Sequence, residues 1–235
     1  MIAGQSSERR PLTSLQRSTV LASIRAPAAG AYVIQRISEL AEEIQVPLLK
    51  RAWELVMQRH PALRTSVVID ADGGLWQHVN EKPEISWREL DWTGVEPAQR
   101  EEKLAAFLLQ DWERGFNFDE GVPARFTILR NSERSYTLIW TSHHVLLDGG
   151  SIPIVWRDWF ALYYGLLRGE AVQLAEPQPF SVYLDWLEGQ DLAKAERFWR
   201  EYLAGLSQTT DYVVDRLLQF SFQKGCVRRR ILFIL

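Results

Sequence analysis

Two β-rich runs, Ala124–Arg130 and Tyr136–Ser142, are joined by only four polar residues, Asn131-Ser132-Glu133-Arg134, and the second runs straight into two histidines. Along a strand, successive side chains point to opposite faces. Tyr136, Leu138, Trp140 and Ser142 therefore share one face with His144, while Thr137, Ile139 and Thr141 share the other with His143. If the strand stays extended to its end, the two histidines face opposite ways. One can line a cavity, and the other must take a structural role.

Segments of helical period flank these strands. From Pro47 to His60 the apolar set Leu48, Leu49, Ala52, Trp53, Val56 and Met57 forms one stripe, with Pro61 ending the helix. Pro97 to Trp112 repeats the pattern with Leu104, Phe107, Leu108 and Leu109. A third helix is expected from about Ile152 to Leu167, with Ser151 as N-cap and Pro153 tolerated in the first turn. Residues 12–24 support a short helix that Pro27 to Gly30 break. Further strands are expected at Ala31 to Ile37, Leu63 to Ile69 and Leu75 to Val79, the last two joined by the turn Asp70-Ala71-Asp72-Gly73-Gly74. Glu170 to Pro179 reads as a linker, and Phe180 to Leu206 as a long amphipathic helical region. The fold class is α/β: an α+β two-layer sandwich with a mixed, mostly antiparallel sheet and helices packed on it.

Bulk properties narrow the function. Apolar residues make up 46% and charged residues 24%, the balance of a globular protein, and ten Trp and ten Phe can fill a sizeable core. The net charge of -3 offers neither nucleic acid nor an anionic membrane a basic surface. The single cysteine, Cys226, rules out an intrachain disulfide and a cysteine-based zinc site. Residues Met1 to Pro11 lack the apolar core of a signal peptide, and no apolar run approaches the roughly 20 residues that span a bilayer. The expected location is cytoplasmic.

A histidine at a strand end, followed by an acid and two glycines, suits acid–base chemistry, since its unperturbed pKa of about 6.5 leaves the neutral base abundant near neutrality. Gly149 and Gly150 leave bare backbone that a thin ligand could approach closely. Asp148 could fix the turn by pairing with an arginine. Adjacent strand histidines cannot easily chelate one ion, His60 and His78 are isolated, and no His-Glu-x-x-His pattern is present, so no metal is expected. The residues alone leave open a second reading, in which His143 and His144 are core histidines with satisfied hydrogen bonds.

The run His143-His144-Val145-Leu146-Leu147-Asp148-Gly149 resembles the His-His-x-x-x-Asp-Gly signature of the condensation domains of nonribosomal peptide synthetases. Three further segments follow that family's order. Leu12-Thr13-Ser14-Leu15-Gln16, with Gly30-Ala31-Tyr32-Val33-Ile34-Gln35 behind it, is similar to the domain's opening. Arg59-His60-Pro61-Ala62-Leu63-Arg64-Thr65 resembles its second motif. Phe180-Ser181-Val182-Tyr183-Leu184-Asp185-Trp186, with Phe198-Trp199 further on, resembles the segment leaving the first lobe. One departure is Gly150, where the family often has Trp.

The resemblance implies an amino-terminal, chloramphenicol-acetyltransferase-like lobe of an amide-forming acyltransferase. His144 takes the catalytic position. His143 and Asp148 become structural, Arg64 is the expected partner of Asp148, and Gly149 and Gly150 border the channel for phosphopantetheine. The chain itself binds no cofactor; partner carrier proteins present the phosphopantetheine. The remaining partners are the carboxy-terminal lobe or adjoining synthetase modules. The implied organisation is a disordered lead-in at 1–11, the lobe at 12–169, a linker and exit helix at 170–206, and an atypical tail at 207–235. That tail reads as a final edge strand or as a truncated or frame-shifted end. Two other readings remain: a free-standing acyltransferase completed by trimerisation, and a non-catalytic module that binds carriers.

Overall fold

The structure is a computed structural model that describes residues 9–206 and 229–232. The chain divides into two compact units, residues 1–177 with 225–235 and residues 178–224.

In the first unit a two-residue strand β1 (Arg10–Pro11) precedes helix α1 (Ser14–Arg25). Arg10 and Pro11 pair with β4, so order begins inside the stretch expected as a disordered lead-in; residues 1–8 lie outside the described residues. Thr13 and Gln16 form a reciprocal capping box at the start of α1, each side chain bonding the other's backbone N–H. A 3₁₀ turn at Pro27–Ala29 leads to β2 (Val33–Leu40), then α2 (Val46–Arg59), β3 (Thr65–Ile69), β4 (Leu75–Val79), β5 (Ser86–Asp91) and α3 (Pro97–Glu113). The central hairpin β6 (Ala124–Ser132) and β7 (Ser135–His143) follows, and α4 (Ser151–Arg168) leaves the site. The second unit holds α5 (Phe180–Glu188) and α6 (Leu192–Tyr202), two helices where one long helical region was expected. Gly189 and Gln190 fall between them, and the Asp191 carboxylate caps α6 by accepting from the Lys194 N–H.

The main sheet has the order β5-β6-β7-β2-β8, with β8 (Arg229–Leu232) running parallel to β2 at one edge. β6–β7 and β7–β2 are antiparallel and β5–β6 is parallel, so the sheet is mixed, as expected. A second, smaller sheet has the order β1-β4-β3. The sequence reading missed β5, because Ser86–Asp91 carries only Trp87 and Leu90 as apolar residues among charged ones.

Side-chain alternation along β7 sorts the core into two layers. Tyr136, Leu138 and Trp140 pack with Trp53 and Val56 of α2 and with Trp156 and Trp159 of α4. Ile139 packs on the opposite face with Ile37, Leu108 and Trp92, so α3 covers that side. Both faces of β7 are therefore buried. Trp53, Trp140, Trp159 and Phe126 meet mostly edge to face, with Phe126 and Trp140 stacked at 5.6 Å. Truncating any one of them would cost about 3–5 kcal/mol. This rigid floor carries the end of β7 and the turn that follows.

Candidate active site

β7 ends at His143, so His144 lies in a turn rather than on the extended strand. His143 is 1% exposed. Its Nδ1 accepts the Val145 N–H at 3.1 Å, and its Nε2 lies 2.9 Å from Ser23 Oγ. The Ser23 hydroxyl spends its one proton on the Ala31 carbonyl at 2.7 Å. His143 Nε2–H must then donate to Ser23, which fixes a neutral imidazole with its proton on Nε2. Burial, with the neighbouring His144 adding to it, pushes the His143 pKa down to about 4. The Phe118 ring packs edge-on at 5.1 Å. His143 is thus a neutral structural bolt between β7 and α1.

His144 is exposed, and its backbone alone is held. Its N–H donates to the Tyr32 carbonyl at 2.8 Å. On its far side Val145 and Leu146 are buried, and the Gln16 amide of α1 donates to the Val145 carbonyl at 3.2 Å. Among the described residues no side chain hydrogen-bonds the His144 imidazole. A ring on a fixed backbone, with both nitrogens open, can exchange a proton with a ligand without first breaking a protein contact.

The expected pairing of Asp148 with Arg64 is not formed. Asp148 Oδ1 accepts the Ser151 N–H at 2.8 Å and the Ser151 hydroxyl at 2.5 Å. These bonds, side chain first, hold the Asp148 pKa below the ordinary carboxylate range, with a smaller contribution from the nearby His144. The expected N-cap, Ser151, is instead the first helical residue; Gly150 holds the cap position without a side-chain bond, and Asp148 serves the first turn. Arg64 donates to two backbone carbonyls, Met57 at 3.0 Å and Asn80 at 2.7 Å. It ties the end of α2 to the residue that follows β4, with its Nε and Nη1 each directed at a backbone carbonyl rather than at Asp148. Gly149 and Gly150 are exposed, and a Cβ built on Gly149 would meet nothing within 4 Å, so the backbone here is bare.

Several supports were not singled out from the sequence. Ser23 carries no local signal beyond being a polar residue on a helix, whereas Gln16 closes both the Leu12-Thr13-Ser14-Leu15-Gln16 segment and the Thr13 capping box. Arg36 is buried, donates to Ser142 Oγ at 2.9 Å and lies 4.9 Å over the Trp140 ring; burial lowers its pKa to about 10, which leaves it charged. Asp158 of α4, fully buried, accepts from Arg59 Nε, His60 Nε2 and Arg157. His60 is therefore a helix-end residue that packs. Among the described residues no group of three or more His, Cys, Asp or Glu is placed to hold a metal ion, and no helix is long and apolar enough to cross a membrane.

The site is thus a strand-end histidine pair on a mixed sheet, one histidine buried and neutral and the other open. The family description "Condensation domain" matches residues 6–231, and the chain belongs to the condensation-domain family. It is 40% identical over 209 residues to a component of the linear gramicidin synthase of Brevibacillus parabrevis, covering 89% of this chain and 3% of that protein. With bacitracin synthase 1 of Bacillus licheniformis it shares 29% identity over 201 residues, 86% of this chain and 4% of the relative. Among solved structures, the starter condensation domain of rhizomide synthetase RzmA superposes with a TM-score of 0.76 at 20% identity, over 86% of this chain and 49% of that one. The first condensation domain of the calcium-dependent antibiotic synthetase gives 0.64 at 21% identity, over 72% and 40%. The chain thus spans about half the length of solved condensation domains and a few per cent of the synthetases.

Proposed function

We propose that this chain supplies the histidine-bearing half of a condensation site that forms an amide between two carrier-bound substrates. The observation that carries the reading is His144: an exposed imidazole on a fixed backbone, beside a buried histidine whose neutrality is accounted for by its own contacts. In the reaction, the amine nitrogen of an aminoacyl thioester attacks the carbonyl carbon of a donor acyl or peptidyl thioester. The C–N bond forms and the C–S bond breaks. His144 Nε2 accepts the amine proton, which then passes to the departing thiolate sulfur of the donor's phosphopantetheine. The thioester is already activated, so much of the acceleration comes from positioning two tethered partners; the proton transfer adds about 10²–10⁴ in rate. His143, Asp148 and Arg64 hold the frame, and Gly149 and Gly150 leave room for the pantetheine arm.

Residues 12–169 form the catalytic lobe in this reading, and the opposite wall of the channel comes from the half of the domain that the solved relatives have beyond it. The test is to incubate the purified chain with loaded donor and acceptor carriers, alone and with the complementary half of a condensation domain. Amide is expected only in the second case. Product from the chain alone would contradict the need for a second wall, and carrier binding without product in both cases would make this a docking module.

A further inference from the structure

Among the described residues Tyr32 is the one non-glycine with a positive φ, at 63°. The left-handed region disfavours side chains with a Cβ, and for a bulky residue it marks a true outlier. The Tyr32 side chain belongs to none of the hydrophobic clusters of the core. The residue is 43% exposed, so it contributes little to the core. The backbone task at this position, accepting the His144 N–H at the carbonyl, needs no side chain, and glycine would do it without strain. Gly30, two residues earlier, shows that the chain uses glycine where the same turn requires φ of 55°. Strain that folding does not explain points to the site it borders.

The surroundings say which site. The Ala31 and Tyr32 carbonyls both help to tie down the histidine pair, Ala31 through Ser23 to His143 and Tyr32 directly to His144. The Tyr32 ring lies 6.2 Å from the buried His143 ring, tilted by 54°, and the residue is open to solvent, as His144 is. An aromatic face with a phenol at its tip, on the residue whose carbonyl holds the His144 backbone, suits a ligand with an apolar chain and an amide or thioester carbonyl to hydrogen-bond.

We propose that Tyr32 is a substrate-contacting, positioning residue: its ring forms a wall for the acyl–pantetheine thioester next to His144, and its phenol donates to a carbonyl of that ligand. This rests on the proposed function above, so the experiment separates the two. The 235-residue chain, labelled on tyrosine and histidine rings, is titrated with octanoyl-pantetheine thioester and followed by NMR, in the wild type and in Tyr32→Gly and Tyr32→Phe. The wild type should show shifts at both the His144 and Tyr32 rings. Tyr32→Gly should unfold at or above the wild-type temperature because strain is relieved, yet bind the thioester at least tenfold more weakly. Tyr32→Phe should fall between them. Shifts at His144 with unchanged affinity in Tyr32→Gly would overturn the role of Tyr32 and leave the site reading intact. No shift at either ring would overturn both. A Tyr32→Gly variant that loses stability and affinity together would make Tyr32 a structural residue and overturn the proposal as well.

Discussion

His143 Nε2 lies 2.9 Å from the Ser23 hydroxyl, and that one contact decides which histidine of the pair is available for chemistry. Because Ser23 gives its proton to Ala31, His143 must donate, and its other nitrogen is taken by the Val145 N–H. His143 has no atom left with which to bind a substrate proton.

A pH dependence of stability follows. The His143 pKa is lowered to about 4 in the fold, against about 6.5 in the unfolded chain. Between those values the unfolded state binds more protons than the native state, so stability rises with pH across the window and is lost as pH falls from about 6.5 to 4. The loss is on the order of 3 kcal/mol. Urea unfolding from about pH 7.5 down to about pH 4.5 should show it, and His143→Gln should flatten the slope. An unchanged slope in His143→Gln would mean that another group carries the acid sensitivity.

Asp158 is fully buried at the joint of α2 and α4. Burial alone would raise its pKa, but the hydrogen bonds from Arg157, His60 and Arg59 outweigh it and keep the carboxylate ionised. Asp158→Ala leaves the largely buried Arg59 and His60 without their acceptor, and should destabilise the chain by about 3–5 kcal/mol. Thermal unfolding reads this directly; a change under about 1 kcal/mol would show that the cluster is not a joint.

Arg64 and Asp148 share no partner in this structure. Arg64→Ala should cost about 1–2 kcal/mol through its two lost carbonyl bonds, and Asp148→Ala about 1 kcal/mol through the lost bonds to Ser151. The double variant should be additive within about 0.5 kcal/mol. Coupling well above that in a double-mutant cycle would mean that the two residues pair in solution.

At Gly30, where φ is 55°, an added Cβ would stand 2.2 Å from the Trp112 ring. Gly30→Ala should destabilise by about 1–3 kcal/mol through overpacking and backbone strain together. It should also disturb the amide signal of His144, which is bonded to the Tyr32 carbonyl in the same turn. A wild-type His144 amide in Gly30→Ala would mean that the turn and the site are independent.

The sequence disclosed what depends on period and missed what depends on distance. α2 was legible because Leu49, Ala52, Trp53 and Val56 repeat at helical spacing and are all buried. The two faces of β7 were legible because Ile139 alternates with Leu138 and Trp140 across two core layers. β5 was not, since a strand at the sheet edge needs few apolar residues. The partner of Asp148 was not either. A carboxylate just before a helix start can satisfy that helix or reach a distant guanidinium, and only the fold shows that Ser151 is the nearer claim. Ser23 and Tyr32 owe their roles to a turn that brings α1 and β2 against the end of β7, which no local pattern encodes.

The most direct test of the account is single-turnover amide formation between an acyl-loaded donor carrier and an aminoacyl-loaded acceptor, in a synthetase carrying this lobe with His144→Ala. The account predicts a rate lowered by about 10²–10⁴ while the carriers still bind and the fold is retained. A His144→Ala enzyme that condenses at the wild-type rate would contradict it.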